Sequence, residues 1–176
     1  VSLRPEFQGA SMTAAFTFPG QGSQPVGMGK ALADAFPVAK AVFDEVDAAL
    51  GENLTAIIWD GPAETLQLTE NTQPALMAVS IAALRVLETE AGLSVARDAA
   101  FVAGHSLGEY SALAAAGSLS VADTARLLRT RGLAMQKAVP VGDGAMAALL
   151  GLDYEVAVAV ADEAAQGQVC EAANDN

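Results

Sequence analysis

Residues 104–110 read GHSLGEY, a G-x-S-x-G set between an apolar run and a stretch rich in alanine and leucine. No other part of the chain restricts the fold so tightly. Ala100, Phe101, Val102 and Ala103 have the character of a buried strand, and residues 107–116 that of a helix. A serine between two glycines at a strand-to-helix junction is the setting of a nucleophile elbow. Gly104 and Gly108 suit it because the turn is tight and both flanking elements pass close by. Ser106 stands at the apex with its hydroxyl exposed. The N–H of Leu107, first in the helix, points where an oxyanion would develop. The competing reading is a glycine-rich turn in which Ser106 simply caps the helix.

The chain has 176 residues, enough for one domain with a real core. Hydrophobic residues make up 52% and aromatics 5%, so the core is built from Ala, Leu and Val, which favours α-rich or α/β packing over a β-sandwich. Ser80 and Arg85 interrupt the longest apolar candidate for a membrane span, and no basic-then-apolar leader is visible. A formal net charge of −12 argues against nucleic acid as a partner. The single cysteine, Cys170, excludes an internal disulfide, suits a cytoplasmic location, and reads as a small buried hydrophobe. No Cys/His/Asp cluster offers a metal site.

In chain order, residues 1–11 show no clean periodicity and read as a tag or upstream arm, with Met12 a plausible native start. Residues 13–18 read as a strand running into the turn-rich PGQGSQP at 19–25. That loop lacks the phosphate-cradling motifs and suits a loop at the carboxyl edge of a parallel sheet. Helices are expected over 27–35 and 37–50, the second with Val38, Val42, Phe43, Val46 and Leu50 as its apolar stripe. Single turns follow at 53–60 and 63–68. The longest helix opens at 71–74, with Thr72 as cap and Pro74 in the first turn, and runs to about residue 90. Leu76, Val79, Ser80, Ala83, Leu84 and Leu87 would face the core. Residues 92–98 read as a loop. Ser120 caps the next helix, with Asp123 completing a capping box. A linker at 140–144 precedes a strand at 145–150, a helix at 154–165 and a strand at 168–173. The domain boundary therefore falls near 139–144, and the second module looks cut off in mid-fold.

FTFPGQGSQ, NTQPALM, GHSLGEY, RTRGLAMQ and GAMAALLG stand in one order along the chain. Together they resemble the malonyl-CoA:acyl carrier protein transacylases of bacterial fatty-acid synthesis, and the similar acyltransferase domains of polyketide synthases. The resemblance covers residues 13–176 and only the N-terminal part of the longer family. It implies an α/β fold: an α/β-hydrolase-like large subdomain with a parallel sheet over 12–140, and the first β-α-β of an inserted ferredoxin-like small subdomain over 141–176. It implies Ser106 as nucleophile, Gln21 and Leu107 at the oxyanion hole, and Arg131 as the partner of the malonyl carboxylate. A planar guanidinium suits a carboxylate through two parallel bonds; alone, Arg131 would read as a solvated helix-face charge. Gln73 reads equally as pocket lining or as a polar residue of a first helical turn. The implied substrates are malonyl-CoA and phosphopantetheinylated acyl carrier protein, with no cofactor.

The chain departs from the family in one respect. The family's general base is a histidine well downstream of the elbow, and the one histidine here is His105, inside it. Adjacent side chains at such a turn diverge, so His105 reads as a packed, hydrogen-bonded residue of the pocket rather than a base. The base would come from a C-terminal remainder of the polypeptide, and residues 1–176 alone would be inactive. A serine hydrolase of related fold, and a piece that binds without turnover, are the rival readings.

Overall fold

The computed structural model describes residues 14–140 and 142–175. The arm at 1–11, the start at Met12 and the first residue of the expected strand, Thr13, lie outside them. The chain divides after Pro140 into two compact units.

The first unit is α/β. Strand β1 (Ala14–Phe18) pairs in parallel with β2 (Ala99–Gly104), Phe16 opposite Val102 and Phe18 opposite Gly104. Parallel neighbours need a crossover, and six helices make it. They are α1 (Lys30–Ala35), α2 (Pro37–Leu50), α3 (Leu54–Asp60), α4 (Ala63–Gln67), α5 (Thr69–Glu90) and α6 (Val95–Asp98). Helices α7 (Leu107–Ala115) and α8 (Val121–Ala138) follow β2. α2 has the expected bounds, with Pro37 in its first turn and Gly51, at φ 68°, closing it. Its Val42, Phe43 and Val46 are buried, and Val38 and Leu50 pack against them from the margin. Ser120 caps α8: the Asp123 N–H donates to Ser120 Oγ (3.0 Å), whose hydroxyl donates to Asp123 Oδ2 (2.7 Å).

Helix α5 departs most from expectation. It begins at Thr69, so Thr72 is not its cap: the Thr72 hydroxyl donates to Leu66 O (2.5 Å) from a fully buried position. Pro74 lies inside the helix, and having no N–H it frees the carbonyl of Glu70 four residues back. The Arg129 guanidinium of α8 takes that carbonyl at 2.6 Å, which lets the helix run through the proline. The buried side is also wider than a stripe. Met77, Ala78, Ile81, Ala82 and Val86 join Leu76 and Leu84 in the core, whereas Leu87 is 46% exposed. α5 is wrapped by α2, α7 and α8 over its first half and emerges from them at its end. α5 and α8 pass close together at Gly132, where a Cβ would stand 2.5 Å from Glu70 Cα.

Two further differences concern 92–98 and β2. α6 forms within the expected loop, Asp98 accepting the Ser94 N–H at 2.7 Å. β2 is less buried than its apolar run suggests, with Phe101 69% exposed, because β1 is its one strand neighbour among the described residues.

The second unit holds α9 (Tyr154–Ala165). The flanking strands expected at 145–150 and 168–173 are not formed, since an extended segment without a paired neighbour has no ladder to join. Its apolar side chains face water, Leu150 and Val169 at 90% exposure and Met146 at 81%. Cys170, expected buried, is exposed for the same reason. Among the described residues no helix is long and apolar enough to cross a membrane.

Candidate active site

The turn between β2 and α7 puts Ser106 at φ 56°, ψ −110°, a backbone that non-glycine residues rarely adopt and that costs about 1–3 kcal/mol. The two glycines make it possible. A Cβ on Gly104 would collide with the backbone of Gly108, and one on Gly108 with the carbonyl of Phe18 at the end of β1. The hydrogen bonds of the turn run from the Gly108 N–H to His105 O (2.9 Å) and from the Glu109 N–H to Ser106 O (3.1 Å). The Leu107 N–H takes no part in them, and the Ser106 side chain makes no capping bond. The capping reading of Ser106 is thereby corrected: the left-handed backbone turns its hydroxyl away from the helix amides.

That hydroxyl meets α8. Arg131 Nη2 donates to Ser106 Oγ at 2.9 Å and Nη1 donates to Gln73 Oε1 at 2.6 Å. The guanidinium carbon also lies 5.8 Å from the centroid of the Tyr110 ring, within cation–π range. Arg131 is half-buried and has no carboxylate partner among the described residues. Gln73 is fully buried, so the first-turn reading gives way to an interior one. Its Nε2 donates to Thr69 Oγ1 (2.9 Å) and approaches Met135 Sδ (3.3 Å). Thr69 in turn donates to Gln21 Oε1 at 2.9 Å. A continuous polar chain thus joins the 19–25 loop to the elbow through α5 and α8.

Of the residues singled out from sequence, Ser106, Arg131, Gln73 and Gln21 come together here, with Leu107 next to Ser106 at the helix start. His105 does not fit its expectation. Its side chain is exposed rather than packed, against Gly20, where a Cβ would stand 2.8 Å from Nδ1. The elbow sends neighbouring side chains apart, Ser106 towards α8 and His105 towards the 19–20 side. Thr69, Tyr110 and Met135 were missed. Thr69 and Met135 each lie four residues from a recognised one on the same helix face (Gln73 and Arg131), and that spacing was the available signal; Tyr110 stands in the first turn of α7, inside the GHSLGEY motif itself.

Chemically, the arrangement offers a hydroxyl on a strained apex, a free amide at a helix N-terminus behind it, and a cation held by side chains that can let go. Such a site can take an acyl group on oxygen and hold an anionic substituent near it. Among the described residues no three of His, Cys, Asp and Glu gather as metal ligands would.

The acyl transferase domain matches this chain over residues 15–173. The malonyl CoA-acyl carrier protein transacylase of Escherichia coli (strain K12) is 49% identical over 162 residues, 92% of this chain and 51% of that protein. The crystal structure of an acyl-carrier-protein-S-malonyltransferase from Bartonella henselae superposes with a TM-score of 0.87 at 60% identity, covering 94% of this chain and 52% of that one. A malonyl-transacylase solved in complex with its type II polyketide synthase acyl-carrier protein is 46% identical, with a TM-score of 0.80 over 90% of this chain and 50% of its own. The chain spans about half the length of the curated relatives it matches.

Proposed function

The chain belongs to the acyl transferase domain family, and on that premise we propose that it carries the acyl-binding part of a transferase that moves malonyl from malonyl-CoA to acyl carrier protein. The contact between Arg131 Nη2 and Ser106 Oγ at 2.9 Å carries this reading: a cation beside the nucleophile supports its pairing with the far carboxylate of a malonyl ester on Ser106. Ser106 Oγ attacks the thioester carbon and gives its proton to a base. The electron pair of the carbonyl moves onto oxygen, where the N–H groups of Leu107 and Gln21 hold it. Collapse expels the CoA thiolate, which takes up the proton, and leaves a malonyl ester on Ser106. The phosphopantetheine thiol of acyl carrier protein then attacks that ester by the same steps. Neither half-reaction needs a metal or redox cofactor.

Throughout, Arg131 exchanges its bond to Ser106 for two to the malonyl carboxylate, while Gln73 keeps its orientation. The base is assigned to the remaining length of the relatives, because the one histidine here, His105, turns away from Ser106. The same remainder supplies partner strands for 145–150 and 168–173, which then form the β-α-β of a ferredoxin-like small subdomain around α9. The reading places the enzyme in the cytoplasm and in fatty-acid synthesis.

Intact-mass measurement of the complete polypeptide after incubation with malonyl-CoA tests the proposal. One malonyl ester per chain is expected, and none with Ser106→Ala. Rapid release of free malonate without a stable adduct points to a hydrolase instead, and undiminished labelling of the alanine variant removes Ser106 from its role.

A further inference from the structure

We infer that Thr69 is a positioning residue for acyl selection: its hydroxyl accepts the buried Gln73 N–H and so holds Gln73 with its oxygen turned to Arg131. The inference rests on the reading that Arg131 receives the malonyl carboxylate.

A guanidinium has only donors, so the atom of Gln73 that meets Arg131 Nη1 at 2.6 Å must be an acceptor. The Gln73 amide nitrogen is thereby committed to the opposite side, in a fully buried position where an unpaired N–H is costly. It finds Thr69 Oγ1 at 2.9 Å and the weakly accepting Met135 Sδ at 3.3 Å. Thr69 can accept that bond because its single proton goes elsewhere, to Gln21 Oε1 at 2.9 Å. Arg131 therefore fixes the polarity of the Gln73 amide, and the Thr69 hydroxyl supplies the acceptor that this polarity requires. The hydroxyl accepts from Gln73 and donates to Gln21, and valine, of nearly the same shape, can do neither. Without the hydroxyl the buried amide keeps only the sulfur as partner. It then gains by rotating, which withdraws the oxygen that steadies Arg131. The catalytic atoms themselves are untouched, because the Thr69 hydroxyl bonds to Gln73 and Gln21 and not to Ser106 or Arg131.

In the complete polypeptide carrying this chain, kcat and KM for malonyl-CoA and acetyl-CoA are measured for Thr69→Val, Thr69→Ser and Arg131→Ala. Thr69→Ala, which removes the same two bonds without β-branching, is run beside the valine variant in case the latter folds poorly. Losing the acceptor of a buried N–H lowers the preference for malonyl over acetyl about tenfold, carried by the malonyl-CoA KM. Serine, keeping both bonds, restores the parent preference. Equal losses for the two acyl groups, an unchanged preference in the valine and alanine variants, or failure of serine to restore it would overturn the role of Thr69. If Arg131→Ala also leaves the preference unchanged, the carboxylate reading falls with it. If Arg131→Ala abolishes the preference and Thr69→Val does not, only the inference on Thr69 fails.

Discussion

Two arginines stand two residues apart on α8, just before the close approach at Gly132, and both reach α5. They live in different surroundings. Arg129 is 13% exposed. Its Nη1 donates to the Glu70 carbonyl (2.6 Å) and to Asn71 Oδ1 (2.7 Å), and its Nη2 lies 2.9 Å from Glu52 Oε1 as an ion pair. Its first acceptor is backbone made vacant by Pro74, and nothing in the site can relieve it of that duty. Arg131 is half-buried and bonds only to side chains, a hydroxyl and an amide. Its partners can rotate, and neither neutralises its charge. The same residue type on the same helix is thus fixed in one region and exchangeable in the other. What separates them is whether the acceptor belongs to the main chain.

Three substitutions break or sharpen that contrast. The largest effect is expected for Arg131→Ala. Removing two charge-assisted bonds to an acyl carboxylate lowers malonyl transfer by about 3 kcal/mol, or about a hundredfold. Acetyl transfer changes little, and steady-state kinetics with both thioesters read this out. Comparable losses for both acyl groups would place Arg131 with Arg129 as a structural residue.

Arg129→Met inverts the pattern. It leaves the Glu70 carbonyl and the Asn71 side chain without their donor and Glu52 without its counter-charge, at a cost of about 2–3 kcal/mol in folding stability. Chemical denaturation should show it, with the malonyl-to-acetyl preference unchanged. A stable Arg129→Met protein with altered preference would dissolve the contrast.

Gly132→Ala acts beside the two patches and has the smallest expected effect. Alanine gains up to about 1 kcal/mol of helix propensity, but its methyl must push Glu70 Cα from 2.5 Å to ordinary contact. Overpacking of this kind costs about 1–3 kcal/mol, so a net loss of up to about 2 kcal/mol remains. Because α8 moves as a body, both arginines shift. Stability and acyl preference should therefore fall together, as thermal melts and paired kinetics on one sample would show.

The sequence carried the strand-turn-helix at residues 99–115 almost to the residue, because its causes are local: two glycines, a small turn and an apolar run. The same holds for Pro37 and Gly51 bounding α2 and for the Ser120 cap of α8, each a matter of a few neighbouring backbone groups. The start of α5 was misplaced because a proline normally marks a first turn, and the helix passes through it where Arg129 takes the carbonyl of Glu70, 59 residues earlier in the chain. The strands at 145–150 and 168–173 have the pattern of strands but form none here, since pairing is a property of two segments and not of one. The exposed Leu87, Phe101 and Cys170 were misjudged for the same reason: an apolar residue is buried only where another element covers it.

Ser106 and Arg131 were named from their motifs, and that much the order of residues determined by itself. That Arg131 reaches Ser106 at 2.9 Å while Arg129 is tied to the backbone was decided by the crossing of α8 over α5 at Gly132. The directed chain from Gln21 through Thr69 and Gln73 was settled at the same place. Hydrogen-bond polarity depends on which donors and acceptors meet, and residues 21, 69, 73 and 131 meet only after the helices have packed.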